Sequence, residues 1–171
     1  NITLRRAISK GSIFLSENAF NLVKNNKIYK GDPLRLAEVS GVIAAKKTSF
    51  IIPLCHNINL DKISLRFFLC DDNYSIDVYC YVSCYAKTGV EMESLTGVTV
   101  ALLTMYDLIK YVDSNIKITN INLLFKDGGK DLSFCNYNII PHFFLDEFKD
   151  KYFCYKDVFY LKKFFSQLSF C

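Results

Sequence analysis

From Leu95 to Ile109 the apolar residues recur at three- and four-residue steps, with Leu95, Val98, Leu102, Met105 and Ile109 on one stripe, the period of an α-helix. Val100, Leu103 and Leu108 fall outside that stripe. The helix is therefore apolar almost all round, which predicts burial on more than one side. A glycine turn and the residues Glu91-Met92-Glu93 lead into it, and Ser94 carries the hydroxyl expected of an N-cap. Upstream, Tyr74 to Tyr85 alternates strictly. Ile76, Val78, Cys80, Val82 and Cys84 share one face, and Asp77, Tyr79, Tyr81, Ser83 and Tyr85 share the other, which is the pattern of a strand. Tyrosines on the second face point to a partly buried surface. Lys62 to Cys70 reads as the preceding strand, joined by an Asp71-Asp72-Asn73 hairpin turn. Ile121, Leu123 and Phe125 alternate as a later strand.

Near the start, Ile8 to Leu15 reads as a strand weakened by Gly11, with Arg5 and Arg6 preceding it. Adjacent arginines in such a place ordinarily face solvent. Ser16 caps a short helix through Ala19, Leu22 and Val23 that ends at Asn25-Asn26. Asp32-Pro33 has the N-cap and N1 residues of another helix, whose period continues through Leu36, Val39 and Ile43 to Lys47. Ile51 to His56 leaves that helix as an extended loop. The order strand, helix, helix, strand, strand, helix, strand predicts an α+β fold, a ferredoxin-like split β-α-β sheet with an added helix. These elements make a domain over 1–135. Residues 136–171 form a C-terminal extension dense in Phe and Tyr, where Val158, Leu161, Phe165 and Leu168 keep helical spacing. A packed helix is expected there.

At 171 residues the chain is long enough for a substantial core. With 51% hydrophobic and 22% charged residues it is globular rather than disordered. A net charge of +4 suits an anionic ligand without demanding one. Seven cysteines, an odd number at irregular spacing, point to reduced thiols in a cytoplasmic, cytosol-like compartment. The chain begins at Asn1, so an organellar location after processing stays open. No membrane span is expected, since no window is continuously apolar over the required length.

Three places carry candidate chemistry. Lys30 and Gly31 lie just before a helix N-terminus, where free N–H groups, the positive dipole end and an ammonium make an anion site. Asp107 and Lys110 stand three residues apart on one face of the long helix. Charges on a buried helix are costly unless paired or used, so the pair is either an ion pair near the helix end or working machinery. Lys126-Asp127-Gly128-Gly129-Lys130 is a glycine loop with two lysines, and glycines let backbone N–H groups approach phosphate. Cys55-His56 raises the question of zinc, but no second ligand pair is suitably spaced. Cys80 and Cys84 lie roughly 13 Å apart along one strand at about 3.3 Å per residue, too far to share a tetrahedral ion. No metal site is expected.

The strings KTGVEMESLT (Lys87–Thr96) and YDLIK (Tyr106–Lys110), the block AAKKTSFIIPLCH (Ala44–His56) and LLFKDGGK (Leu123–Lys130) occur in this order. Together they resemble the family of cyclic pyranopterin monophosphate synthase (MoaC), of molybdenum cofactor biosynthesis, over roughly Thr3 to Phe134. Ser94, Asn57 and Asp127 stand where the family commonly has Ala, Pro and Ser. The resemblance implies a lyase. It converts 3',8-cyclo-7,8-dihydroguanosine triphosphate, derived from GTP, to cyclic pyranopterin monophosphate with release of diphosphate. It implies Asp107, Lys110 and Lys30 as catalytic residues, and Arg5, Leu54, Cys55, His56, Glu91, Met92, Glu93 and Lys126 as substrate contacts. It further implies hexamers built from dimers, with active sites at the dimer interfaces. No tightly bound cofactor is implied; Mg²⁺ could accompany the substrate triphosphate. Two alternatives stand beside this reading. One is an RNA-binding module of the same topology, which the basic charge and sheet tyrosines would suit, although no segment has the aromatic strand such modules use. The other is a catalytically inactive oligomer.

Overall fold

The computed structural model describes residues 1–129 and the backbone of Phe134–Cys135. These residues all fall in one compact unit, Asn1–Cys135. The helix expected around Val158–Leu168, and Lys130 of the glycine loop, lie outside the described residues.

The chain order is β1 (Thr3–Phe14), α1 (Glu17–Lys24), α2 (Pro33–Lys46), α3 (Thr48–Ile51), β2 (Lys62–Cys70), β3 (Ser75–Ala86), α4 (Glu91–Ile109), β4 (Lys117–Asp127) and β5 (Phe134–Cys135). The strands form one sheet in the order β2-β3-β1-β4-β5, and every neighbouring pair is antiparallel. This is the expected split β-α-β arrangement, with α1 and α3 added to the first crossover and a two-residue strand at the edge.

The first strand corrects the sequence reading. It begins at Thr3, so Arg5 and Arg6 lie within it, and it pairs with β3 without interruption from Thr3↔Ala86 to Phe14↔Ser75. Gly11 does not break the strand because it serves a packing need. A Cβ there would come within 2.5 Å of Leu102 Cδ1 and 2.9 Å of Val98 Cγ1, so the glycine lets α4 lie close on the sheet. The core sits between that sheet face and α4. Ala7, Ile13, Ile76, Val78, Cys80 and Val82 meet Val98, Leu102, Met105 and Ile109, all buried.

The helix starts agree with the sequence at two places. The Ser16 hydroxyl accepts from the Ala19 N–H at 3.3 Å, and Asp32 caps α2 by accepting from Leu34 N–H at 2.9 Å and Arg35 N–H at 3.2 Å. Ser94 does not cap α4. The N-cap position is Val90, which makes no side-chain cap bond. Ser94 instead lies fully buried in the first turns, where its hydroxyl donates to Cys80 O at 2.7 Å and contacts Ser9 Oγ at 2.8 Å. It pins the helix start to the centre of the sheet.

Two further expectations change. The segment after α2 first makes the short helix α3, ending at Ile51, before the loop to His56. And α4 is not buried all round: Met92, Leu103 and Tyr106 are exposed. Leu36, Val39 and Ile43 of α2 are exposed as well, while the face that meets the core is small, with Ala37, Gly41, Ala44 and Ala45. By length and composition α4 could cross a bilayer, but half of its apolar window is buried within the fold.

On the second face of β3, Tyr79 and Tyr81 are buried and Tyr85 is exposed. Tyr79 meets Phe68 edge-on at 5.6 Å, and Lys10 Nζ lies 5.5 Å from its ring centre. The face is aromatic and partly buried, as the sequence pattern suggested.

Candidate active site

The start of β1, the end of β4 and the start of α4 converge on a cleft lined by Arg5, Arg6, Gly89, Glu91, Lys126, Asp127 and Gly128. Strand pairing builds it. Register sets Arg6 opposite Asp127 and Ala7 opposite Lys126. Beyond Asp127 the chain turns through Gly128 and Gly129, both at positive φ (101° and 87°). A Cβ on Gly128 would stand 2.0 Å from Leu4 O, and one on Gly129 would stand 2.0 Å from Arg5 Nη1. Glycine is thus required for the loop to wrap the Arg5 guanidinium.

Arg5 is held by three carbonyl oxygens. Its Nη1 donates to Gly128 O at 2.9 Å, Nη2 to Lys87 O at 3.0 Å and Nε to Ala86 O at 3.4 Å. A guanidinium has five N–H donors, so two remain without a partner among the described residues. Lys126 Nζ sits 3.0 Å from Glu91 Oε1. Glu91 occupies the first turn of α4, where the helix dipole favours a carboxylate.

Glu93 lies two residues further on and is buried. Burial pushes its carboxyl above the usual carboxylate range; its own backbone N–H opposes that rise, neighbouring Glu91 adds to it and His56 opposes it. The Cys55 thiol is raised by burial and then by Glu93. The Leu54-Cys55-His56 loop follows α3, which contacts α4. Leu54 is almost wholly exposed there, at 94%. Arg5, Lys126 and Glu91 line one cleft, and Met92 and Glu93 follow Glu91 in the first turn of α4.

Lys30, Asp107 and Lys110 make a second group. Lys110 Nζ stands 2.6 Å from Asp107 Oδ1, and Lys30 Nζ donates to Asp107 O at 3.5 Å. The two side chains of the ion pair are 62% and 53% exposed for Asp107 and Lys110. This corrects the expectation of charges on a buried helix face. With little desolvation, attraction decides the titration: Lys110, by hydrogen bond and charge, and then Lys30 hold Asp107 below its usual range, and Asp107 raises Lys110. Lys30 is carried on a loop that Tyr111 ties down, the Tyr29 N–H donating to Tyr111 Oη at 2.8 Å.

Asp107 lies sixteen residues beyond Glu91 on one helix, about 24 Å at 1.5 Å per residue. The structure thus collects the sequence candidates into two groups, one at each end of α4, and does not bring the groups together within one chain. Two features were missed in the sequence. Arg6 is buried rather than solvated and pairs with Asp127. Tyr111 anchors the Lys30 loop, and nothing in its sequence position signals that contact. Among the described residues no group of three or more His, Cys, Asp or Glu could hold a metal ion.

A family model described as the MoaC family matches residues 1–129. A cyclic pyranopterin monophosphate synthase from Campylobacter jejuni subsp. doylei is 44% identical over 137 residues, covering 80% of this chain and 87% of the relative. Proteins of the same description from Natranaerobius thermophilus and Lysinibacillus sphaericus are 43% and 42% identical. They cover 75% and 78% of this chain, and 80% and 84% of their own lengths.

Proposed function

The chain belongs to the MoaC family, and from that membership we propose that it is a cyclic pyranopterin monophosphate synthase of molybdenum cofactor biosynthesis. It is a lyase that converts 3',8-cyclo-7,8-dihydroguanosine triphosphate to cyclic pyranopterin monophosphate and releases diphosphate. The observation that carries this is the family match across residues 1–129 together with 44% identity to a synthase over most of both chains.

The geometry suits the chemistry as follows. Closing a substrate hydroxyl on the α-phosphorus while diphosphate leaves requires fixed positive charge around the triphosphate. Arg5 and Lys126 supply it in the glycine-lined cleft, two of the Arg5 N–H donors having no partner among the described residues. His56, and Lys30 of a second copy of the chain, would add to that charge. Rearranging a purine to a pterin requires groups that move protons. Asp107 and Lys110 form one such pair, and Glu91 with Glu93 another. A Mg²⁺ ion would enter with the substrate's phosphates, as Mg²⁺ commonly does.

The two groups lie about 24 Å apart at helical rise, so one substrate cannot touch both in a single chain. A second copy of the chain would complete each site, with the Lys30–Asp107–Lys110 end of one protomer facing the Arg5–Lys126 end of its partner. The exposed stripe Leu36, Val39 and Ile43, continued by Phe50 and Ile51, supports such a contact. Assembly of these dimers to a hexamer belongs to the same reading, as does a reducing, cytosol-like compartment, which suits the free Cys55, Cys70, Cys80 and Cys84.

The test is incubation of the protein with the cyclic triphosphate, followed by detection of diphosphate and the pyranopterin product. Absence of turnover by a folded oligomer would overturn the reading. Salt-sensitive RNA binding in its place would favour a nucleic-acid module.

A further inference from the structure

Asp127 puts a carboxylate at the rim of a cleft meant for a triphosphate, where an unbalanced negative charge would repel the ligand. The fold answers it from the adjacent strand. Arg6 Nε donates to Asp127 Oδ1 at 2.8 Å, and Arg6 Nη2 pairs with Asp127 Oδ2. This is the two-pronged geometry in which guanidinium recognises carboxylate best. Arg6 is only 5% exposed and the Asp127 side chain 14%, and the Arg6 guanidinium also lies 5.9 Å from the Phe125 ring centre. The pair sits on directly opposed residues of β1 and β4.

Strand alternation gives the pair its leverage. Successive side chains point to opposite faces, so the residues next to the pair, Arg5 and Lys126, project the other way and face Glu91 and the loop carbonyls. Immediately after Asp127 comes Gly128, whose carbonyl oxygen receives Arg5. Fixing Asp127 against Arg6 therefore fixes where Lys126 stands and where the Gly128 carbonyl meets Arg5.

We infer that Arg6 and Asp127 are positioning residues for the triphosphate cleft, a charge-balanced clamp that cancels the rim carboxylate and sets the register of Arg5 and Lys126. This rests on the assignment of the cleft to the substrate's phosphates. The clamp touches no reacting atom, so its loss should move anion affinity far more than the chemical step.

The experiment measures two quantities on purified full-length protein: Kd for inorganic triphosphate, and KM and kcat for the cyclic triphosphate. Arg6→Met should weaken triphosphate binding and raise KM about tenfold, with kcat changed less than about threefold, the signature of lost binding rather than lost chemistry. Adding Asp127→Ser to Arg6→Met should recover about half of the loss in Kd and KM on a logarithmic scale, because no uncompensated carboxylate remains while the register contact stays absent. Unchanged Kd in folded Arg6→Met, or no recovery in the double variant, overturns the clamp. If Arg6→Met does not fold, Arg6→Lys keeps the charge and loses the fork. It should raise Kd about threefold, and an unchanged Kd sinks the inference. Wild-type protein that binds triphosphate but never turns over the cyclic substrate would count against the reaction and leave the clamp standing on its binding data.

Discussion

Lys30 Nζ lies 3.5 Å from the main-chain oxygen of Asp107, joining the loop before α2 to the last turns of α4. That contact brings the ammonium beside the Asp107–Lys110 pair, although Lys30 and Asp107 are 77 residues apart. Lys30 is exposed and packs into no core. Lys30→Ala is therefore expected to keep the wild-type melting temperature within about 1–2 °C, as surface substitutions do, and to reduce kcat/KM by on the order of 10²-fold. Tyr111→Phe, which removes the acceptor of the Tyr29 N–H, should show a weaker form of the same defect, a fall of about three- to tenfold, equal to one modest hydrogen bond. Steady-state kinetics beside a thermal melt decide both, and a fully active Lys30→Ala protein would return Lys30 to solvent.

Asp107→Asn and Lys110→Ala test the ion pair. Each is expected to cost on the order of 10²-fold or more in kcat, with the double variant losing little beyond either single one. Both groups are exposed, so neither change should lower stability appreciably. The sign of the titration follows from the shifts. Asp107 is depressed, so what it contributes to stability is present above the ordinary carboxylate pKa and fades as pH falls through its lowered folded value. Lys110 is raised, so its contribution holds below the ordinary lysine pKa and fades as pH rises through its raised folded value. The pair is intact across neutral pH. A pH series of melts should be flat there for Asp107→Asn relative to wild type. Normal turnover by the folded variant would reduce the pair to a surface bridge.

Glu93 behaves in the opposite sense. Its buried carboxyl titrates above the usual range, so ionising it costs the folded state. From about pH 4.3, the ordinary value, the penalty grows with rising pH until the folded value is passed, and then stays constant. Glu93→Gln should therefore melt higher than wild type at pH 7. The two proteins should converge below pH 4, and turnover should fall if Glu93 moves a proton. A Glu93→Gln protein less stable at pH 7 than at pH 4, relative to wild type, contradicts the direction.

Ile43→Glu tests the exposed stripe of α2. Ile43 is 56% exposed within the chain, so the substitution should leave the fold intact. A charge desolvated in an apolar contact is expensive, so light scattering should report smaller particles, and turnover should fall with the loss of assembly. An assembled, fully active variant would place the contact elsewhere.

Much of the fold was legible because periodicity and caps are local. The β2–β3 hairpin, the Ser16 and Asp32 caps and the alternation of β3 all follow from neighbouring residues. Ser94 misled because a serine before an apolar run looks the same whether its hydroxyl caps the helix or reaches a strand carbonyl fourteen residues back. Arg6 misled for a similar reason. Its burial depends on Asp127, 121 residues away, and on a strand register that one segment cannot reveal. Candidate site residues were found by motif, but their division between the two ends of α4 appears only once the helix is laid on the sheet.

That division has a genetic consequence. If each centre is built from the far end of one chain and the near end of another, a chain with Lys30→Ala and a chain with Lys126→Ala fail in different halves. Each assembles only dead dimers by itself. A mixed dimer combines both lesions in one centre and leaves the other centre wholly wild type. Two inactive alleles expressed together would thus complement each other, whereas a single allele carrying both lesions would be dominant, spoiling one half of each centre in every dimer it enters.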